Sequence, residues 1–250
     1  MNNPLNGEKP IVVVTGASRG IGHAIVKHCY DMEWDVITMA RTSFSEVCPW
    51  ADGIVRHIRV DLSHNESIMK AVDNLNALLD GKGLSALVNN AGISPKKADG
   101  SRMTASETSI ETFLRVQQVN LVAPLVLSQQ LLKPLMAAEG AIVNVSSIAA
   151  SRIHPFAGAA YAVSKAALTT LTRELAYELG NSGVRVNSIA PGEIKTSILS
   201  PGTDEVIQSD VPMQRIGSPR EVAEVVYFLA SSNSSYVTGA DIPINGGQHV

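Results

Sequence analysis

The chain has 250 residues, 45% of them hydrophobic and 17% charged, with a formal net charge of -3. That is long enough for one large α/β domain and ordinary for a globular protein. No basic tract or aromatic-basic interleaving marks a nucleic-acid surface, and apolar runs such as residues 11–14 are far too short to span a bilayer.

Short apolar runs alternate with longer amphipathic stretches almost to the end of the chain. Residues 11–15 read as a buried strand and 20–33 as the helix after it. Strands at 36–39 and 55–60 follow, then a helix over roughly 64–79, a strand at 86–88 and a long helix over about 109–135. A strand at 142–145, a second long helix at 161–179 and a strand at 184–190 come next. A helix begins at Ser218, with Pro219 in its first turn and Glu221 completing a capping box, and residues 241–244 close the series as a seventh strand. This rhythm predicts an α/β fold, a doubly wound parallel seven-stranded sheet with helices on both faces, in one Rossmann-type domain spanning residues 1–250. Two stretches interrupt it: 42–53, which holds Pro49, and 193–213, which holds Pro201, Gly202 and Pro212 and reads as a flexible lobe beside the site.

The N-terminal ten residues lack the apolar stretch of a signal peptide. Cys29 and Cys48 have neither Cys-x-x-Cys spacing nor a clustered histidine partner, so reduced thiols, no metal site and a cytoplasmic location are expected.

Gly16, Gly20 and Gly22 sit where the first strand meets its helix. A tight turn whose backbone approaches a pyrophosphate needs residues without side chains, and the helix N-terminus turns its N–H groups toward the anion. A dinucleotide is the expected ligand. The second strand ends at Ala40, where NAD-selective sites carry an acid, and Arg41 follows directly. With Arg19 inside the loop, two guanidinium groups suit a 2′-phosphate, so NADP(H) is the expected cofactor.

Tyr161 and Lys165 lie four apart, on one face of a helix, fourteen residues after Ser147. Together with residues 15–22, Asp61, Asn89–Gly92, Asn120, and Pro191–Gly192 with Thr196, they give the chain an ordered set of motifs from residue 11 to 247. The chain resembles the short-chain dehydrogenase/reductase family, in its compact single-domain branch. The resemblance implies a cofactor site built from Gly16, Ser18, Arg19, Gly20, Ile21, Gly22, Arg41, Asp61, Leu62, Asn89, Ala91, Gly92, Tyr161, Lys165, Pro191, Gly192, Ile194 and Thr196. In it Asp61 and Leu62 bracket the adenine and Thr196 contacts the nicotinamide amide. It also implies a homotetramer, with the two long helices packing across a two-fold axis.

Carbonyl reduction needs a hydride on carbon and a proton on oxygen. A phenol titrates near 10, and a cation within about 4–6 Å lowers that value, which Lys165 is placed to do for Tyr161. Ser147 can hydrogen-bond the carbonyl oxygen as charge develops there. By resemblance, Lys165 also holds the nicotinamide ribose, and Asn120 kinks its helix and positions a water for proton relay. The Ser147–Tyr161 gap is about one residue longer than in most relatives, which leaves Ser146 as the alternative serine. The expected partner is a small carbonyl or alcohol substrate. Lys96, Lys97 and Arg102 form a basic loop that could meet an anionic substrate or simply face solvent. Residues 136–140 and 179–183 carry no positive charge, which disfavours an acidic acyl carrier protein. Reduction of 3-oxoacyl groups on that carrier stays as the alternative, as does a non-catalytic NADP(H)-sensing protein.

Overall fold

The computed structural model describes residues 9–42, 48, 51–196 and 202–250. Its strands are β1 (Ile11–Thr15), β2 (Asp35–Ala40), β3 (Arg56–Arg59), β4 (Ala86–Asn89), β5 (Ala141–Val145), β6 (Arg185–Pro191) and β7 (Asp241–Ile244). They form one sheet in the order β3-β2-β1-β4-β5-β6-β7, with every neighbouring pair parallel. β1 is the pivot: it pairs with β2 on one side (Val14 opposite Thr38) and with β4 on the other (Val14 opposite Val88). The chain leaves β1 in two directions, and such a reversal opens a crevice beyond the strands' carboxyl ends.

All five residues of β1 are buried, as a central parallel strand covered on both faces requires. Alternation sends Ile11 and Val13 into one core layer and Val12 and Val14 into the other. The first layer is completed by Ile68, Leu75 and Leu79 from α2 (Asn65–Leu79) and by Leu127 and Leu131. The second is completed by Ile25 and Val26 from α1 (Gly20–Asp31) and by Val222 and Val226 from a later helix. Helices thus cover both faces, as the alternating pattern requires.

The long helix expected over 109–135 is broken. It consists of α3 (Ile110–Gln117), a π-helical turn (Gln118–Val122), α4 (Ala123–Gln130) and α5 (Leu132–Ala137). Asn120 lies at the centre of the π turn, fully buried. Its side chain clamps Ile93, accepting from the amide at 2.8 Å and donating to the carbonyl at 3.0 Å. A tertiary contact of this kind is a recognised cause of a local break in the helical ladder.

The second long helix, α6 (Ala159–Leu179), is continuous. The stretch read as a flexible lobe holds α7 (Thr203–Asp210), and residues 197–201 of it lie outside the described residues, as do 43–47, 49 and 50 of the other interruption. The last helix, α8 (Pro219–Ala230), begins with the expected capping box between Ser218 and Glu221. Among the described residues no helix is long and apolar enough to cross a membrane.

Candidate active site

The strand ends meet at the crevice through specific bonds. Thr15 Oγ1 accepts from the amides of Asn90 and Ala91, each at 3.0 Å, and donates to the Val88 carbonyl at 3.3 Å. Asn90 Nδ2 returns bonds to the carbonyls of Thr15 and Gly16 at 2.9 and 3.0 Å. Asn90 was not singled out individually in the sequence, yet it ties the glycine loop to the segment after β4. Asn89, beside it, is 2% exposed and donates to Asn144 Oδ1 at 2.9 Å, while its own Oδ1 has no partner.

The glycines are needed where they stand. Gly16 has φ 65°, and a Cβ there would lie 2.7 Å from the Ala91 Cα. A Cβ on Gly22 would lie 2.4 Å from the Gly16 carbonyl oxygen. Such a cradle, at the start of α1, fits a dinucleotide pyrophosphate. Ser18, Gly20 and Ile21 complete it, half-buried, and Arg19 is exposed at the helix cap. Thr196 reaches the same loop, since a Cβ on Gly20 would sit 3.3 Å from its Cγ2.

Arg41 is exposed beyond β2. Asp61 is held below the ordinary carboxylate range, first by hydrogen bonds from the Ser63 hydroxyl and amide and only weakly by the charge of Arg41. Leu62 is buried in the core layer beneath. On the far side, Gly192 donates to the Ile244 carbonyl at 3.0 Å just after Pro191 ends β6. Ile194 forms a bridge with Gly217.

The reactive groups converge at the carboxyl end of β5. Ser147 follows it, extended, and caps a short 3-10 turn by accepting from the Ala149 amide at 3.2 Å. Its hydroxyl is near enough to the Tyr161 phenol to favour the ionised form of that group. Ser146 is excluded from that role by its direction: it is 2% exposed and donates to the Lys165 carbonyl at 3.1 Å, within α6 contacts that also include Thr169. Asn120 reaches the same place. Its Nδ2 donates to Ser164 Oγ at 3.0 Å, and Ser164 donates to the Tyr161 carbonyl at 2.7 Å. A Cβ on Gly92 would come within 3.4 Å of Lys165 Nζ and 3.5 Å of Asn120 Oδ1, so the four expected groups and the segment after β4 share one small volume.

The electrostatics differ from the sequence expectation. Burial holds the Tyr161 phenol above its ordinary value, and the neighbouring Ser147 hydroxyl opposes that shift. Lys165 is 2% exposed, and burial pushes its ammonium down to about 8. Its Nζ lies 5.7 Å from the Tyr161 ring centroid and donates to the Val145 carbonyl at 2.7 Å. The helical spacing brought the pair together, and desolvation then outweighs their mutual attraction.

One pair was missed. His154 Nε2 lies 2.6 Å from Glu193 Oε1, both largely buried, linking the segment before α6 to the one after β6. The residues are 39 apart in sequence, and nothing local signals the contact. Among the described residues no cluster of three or more His, Cys, Asp or Glu could hold a metal ion.

Comparison with known proteins supplies the family context. A family model described as enoyl-(acyl carrier protein) reductase matches residues 16–249. Protein FixR of Bradyrhizobium diazoefficiens is 52% identical over 98% of this chain and 88% of its own. A 3-oxoacyl-[acyl-carrier-protein] reductase, FabG, of Aquifex aeolicus is 34% identical over 95% of this chain and 96% of its own. Among solved structures, a Brucella ovis oxidoreductase of the short chain dehydrogenase/reductase family, in complex with a partially ordered NAD, superposes with a TM-score of 0.82. It is 50% identical and covers 95% of this chain and all of its own.

Proposed function

The chain belongs to the short-chain dehydrogenase/reductase family, and from that premise we propose that it reduces a ketone to a secondary alcohol, reversibly, with NADPH as cofactor and Tyr161 as general acid. The observation that carries this reading is the convergence of Tyr161, the buried Lys165 5.7 Å from its ring, and Asn120 around Gly92, at the end of the strand that delivers Ser147. When bound, the nicotinamide supplies the hydride. Gly16, Ser18, Arg19, Gly20, Ile21 and Gly22 hold the pyrophosphate side and Arg41 the 2′-phosphate, with Asp61 and Leu62 at the adenine. Asn89, Ala91 and Gly92 line the cleft, and Pro191, Gly192, Ile194 and Thr196 receive the nicotinamide end.

Ser147 donates to the substrate oxygen and to the phenol oxygen in turn, orienting the first and stabilising charge on the second. Tyr161 gives its proton to the reduced oxygen. Lys165 uses one donor on Val145 and has two left, which suits ribose hydroxyls, and its remaining charge favours the phenolate once the proton has moved. Asn120 holds Ile93 and Ser164 in place, and its π turn offers a carbonyl for a relay water. The cofactor preference rests on Arg19 and Arg41 and on Ala40 in the acid's place. The test is oxidation of NADPH with a panel of ketones, repeated with NADH. Turnover with NADPH on at least one ketone supports the reading, and cofactor binding without any turnover favours the NADP(H)-sensing alternative.

FabG-type relatives favour a second reading, reduction of 3-oxoacyl groups on acyl carrier protein. The absence of any cation in 136–140 and 179–183 weighs against it, and the same assay with a carrier-linked substrate decides. Assembly as a homotetramer is part of the proposal. Ile110 and Leu114 on α3 and Tyr177 on α6 are apolar, 73%, 59% and 91% exposed, on the helices expected to meet across the two-fold axis. Sedimentation measures this directly. A cytoplasmic location accords with two unpaired cysteines.

A further inference from the structure

The basic loop after β4 is a tight hairpin. Lys97 N donates to the Ser101 carbonyl at 3.0 Å, and Lys96 and Arg102 stand opposite each other in an antiparallel bridge. Directly opposed residues of such a bridge project to the same side. Two like charges so placed repel, and two nearby acids are engaged by other groups than Arg102. Asp99 accepts from the amide and hydroxyl of Ser101. Glu107 is taken by Lys97 at 2.6 Å and by Thr104. Lys96 lies with its Nζ 5.8 Å from the Phe156 ring centroid. Among the described residues Arg102 makes no hydrogen bond or ion pair, and its Nε is sealed from solvent without an acceptor. Burying part of a guanidinium with no acceptor is unfavourable.

The hairpin is held against the reactive groups at both ends. Ile93, at its start, is clamped by Asn120, and the Met103 carbonyl, next to Arg102, accepts from the Ala159 amide at 3.1 Å. Pro95, Met103, Gly158 and Tyr161 line one small cavity. Phe156, under Lys96, also edges His154 at 5.8 Å. An unsatisfied arginine and a lysine on one side of a segment that packs beside Tyr161 form a fork suited to an oxyanion.

We propose that Arg102, with Lys96, binds an anionic group of the substrate, so that the preferred substrate is a ketone carrying a carboxylate or phosphate. This rests on the carbonyl-reductase reading. It assigns separate tasks within the hairpin: Lys97 braces it through Glu107, whereas Arg102, beside Lys96, faces the ligand.

The experiment compares matched pairs, a series of 2- and 3-oxo acids against their methyl esters, with phosphorylated ketones as a separate arm, in wild type, Arg102→Leu and Lys97→Ala. The ratio of kcat/KM for acid over ester is expected to exceed one in wild type and to fall on the order of tenfold or more in Arg102→Leu, while Lys97→Ala retains the wild-type ratio. The arm with the larger ratio identifies carboxylate or phosphate. Equal ratios in wild type and Arg102→Leu overturn the inference while leaving the reductase reading intact. Should no ketone be reduced, calorimetric binding of the corresponding hydroxy acids and phosphorylated alcohols to the cofactor-loaded protein decides: affinity lost in Arg102→Leu supports the inference, and equal or undetectable binding in both overturns it. Thermal denaturation confirms that the variant is folded, and Arg102→Lys, which keeps the charge, is expected to recover part of the ratio.

Discussion

Lys165 directs its ammonium to the carbonyl oxygen of Val145 at 2.7 Å, while the ring centre of Tyr161 stands 5.7 Å from the same nitrogen. The lysine is therefore anchored to the end of β5, the strand that delivers Ser147. The strand end thus fixes the lysine beside the serine it delivers and the tyrosine one turn away, which is the preorganisation that proton transfer on a reacting oxygen requires.

The buried lysine has a consequence for stability. Its folded value is about 8 against an ordinary 10.5, so folding disfavours the charged form. Below about pH 8 both folded and unfolded chains are protonated there and the cost is present in full. Between about 8 and 10.5 the unfolded chain keeps the proton that the folded one has lost, so stability rises with pH across that window. Tyr161, shifted upward, acts in the opposite sense above its ordinary value of 10.0. Between pH 8 and 10 wild type should therefore gain on the order of 2 kcal/mol relative to Lys165→Met. Denaturant titrations of both proteins at the two pH values measure the difference, and parallel behaviour would count against a buried ammonium.

The two adjacent serines should separate cleanly. Ser147→Ala removes the hydroxyl beside Tyr161 and is expected to lower kcat on the order of 10²-fold. Ser146→Ala removes contacts with Lys165 and Thr169, and its expected effect is a loss of about 1 kcal/mol in stability with little change in kcat. The reverse pattern in kinetics and denaturation would make Ser146 the functional serine.

Cofactor choice is tested at the end of β2. Arg41→Asp puts an acid beside the ribose hydroxyl and removes a guanidinium. The ratio of kcat/KM for NADPH over NADH should fall by about tenfold or more. Equal use of both cofactors by wild type would contradict the role given to Arg41.

Much of the frame was legible because its causes are local. The β1 run, the glycine spacing, the four-residue interval of Tyr161 and Lys165, and the Ser218–Glu221 cap are each set by a few neighbouring residues. The break at Asn120 was not visible as a break in the periodicity of 109–135, because it depends on the Ile93 backbone, 27 residues away. Resemblance supplied the kink, and the structure supplied its cause. The net upward shift of the Tyr161 phenol was not legible for a related reason. Spacing gives proximity, whereas the charge balance depends on burial by the whole fold. The His154–Glu193 contact and the isolation of Arg102 likewise arise only once distant segments have packed.

The most direct measurement follows the label from C4-deuterated NADPH, carrying deuterium in the transferable position, into product with wild type and Tyr161→Phe. The account predicts deuterium on the carbinol carbon of a secondary alcohol in wild type, and a rate lower by about 10²–10⁴-fold in Tyr161→Phe despite retained NADPH binding. Near-normal labelled turnover in that variant, or NADPH binding in wild type with no labelled alcohol from any ketone, would contradict it.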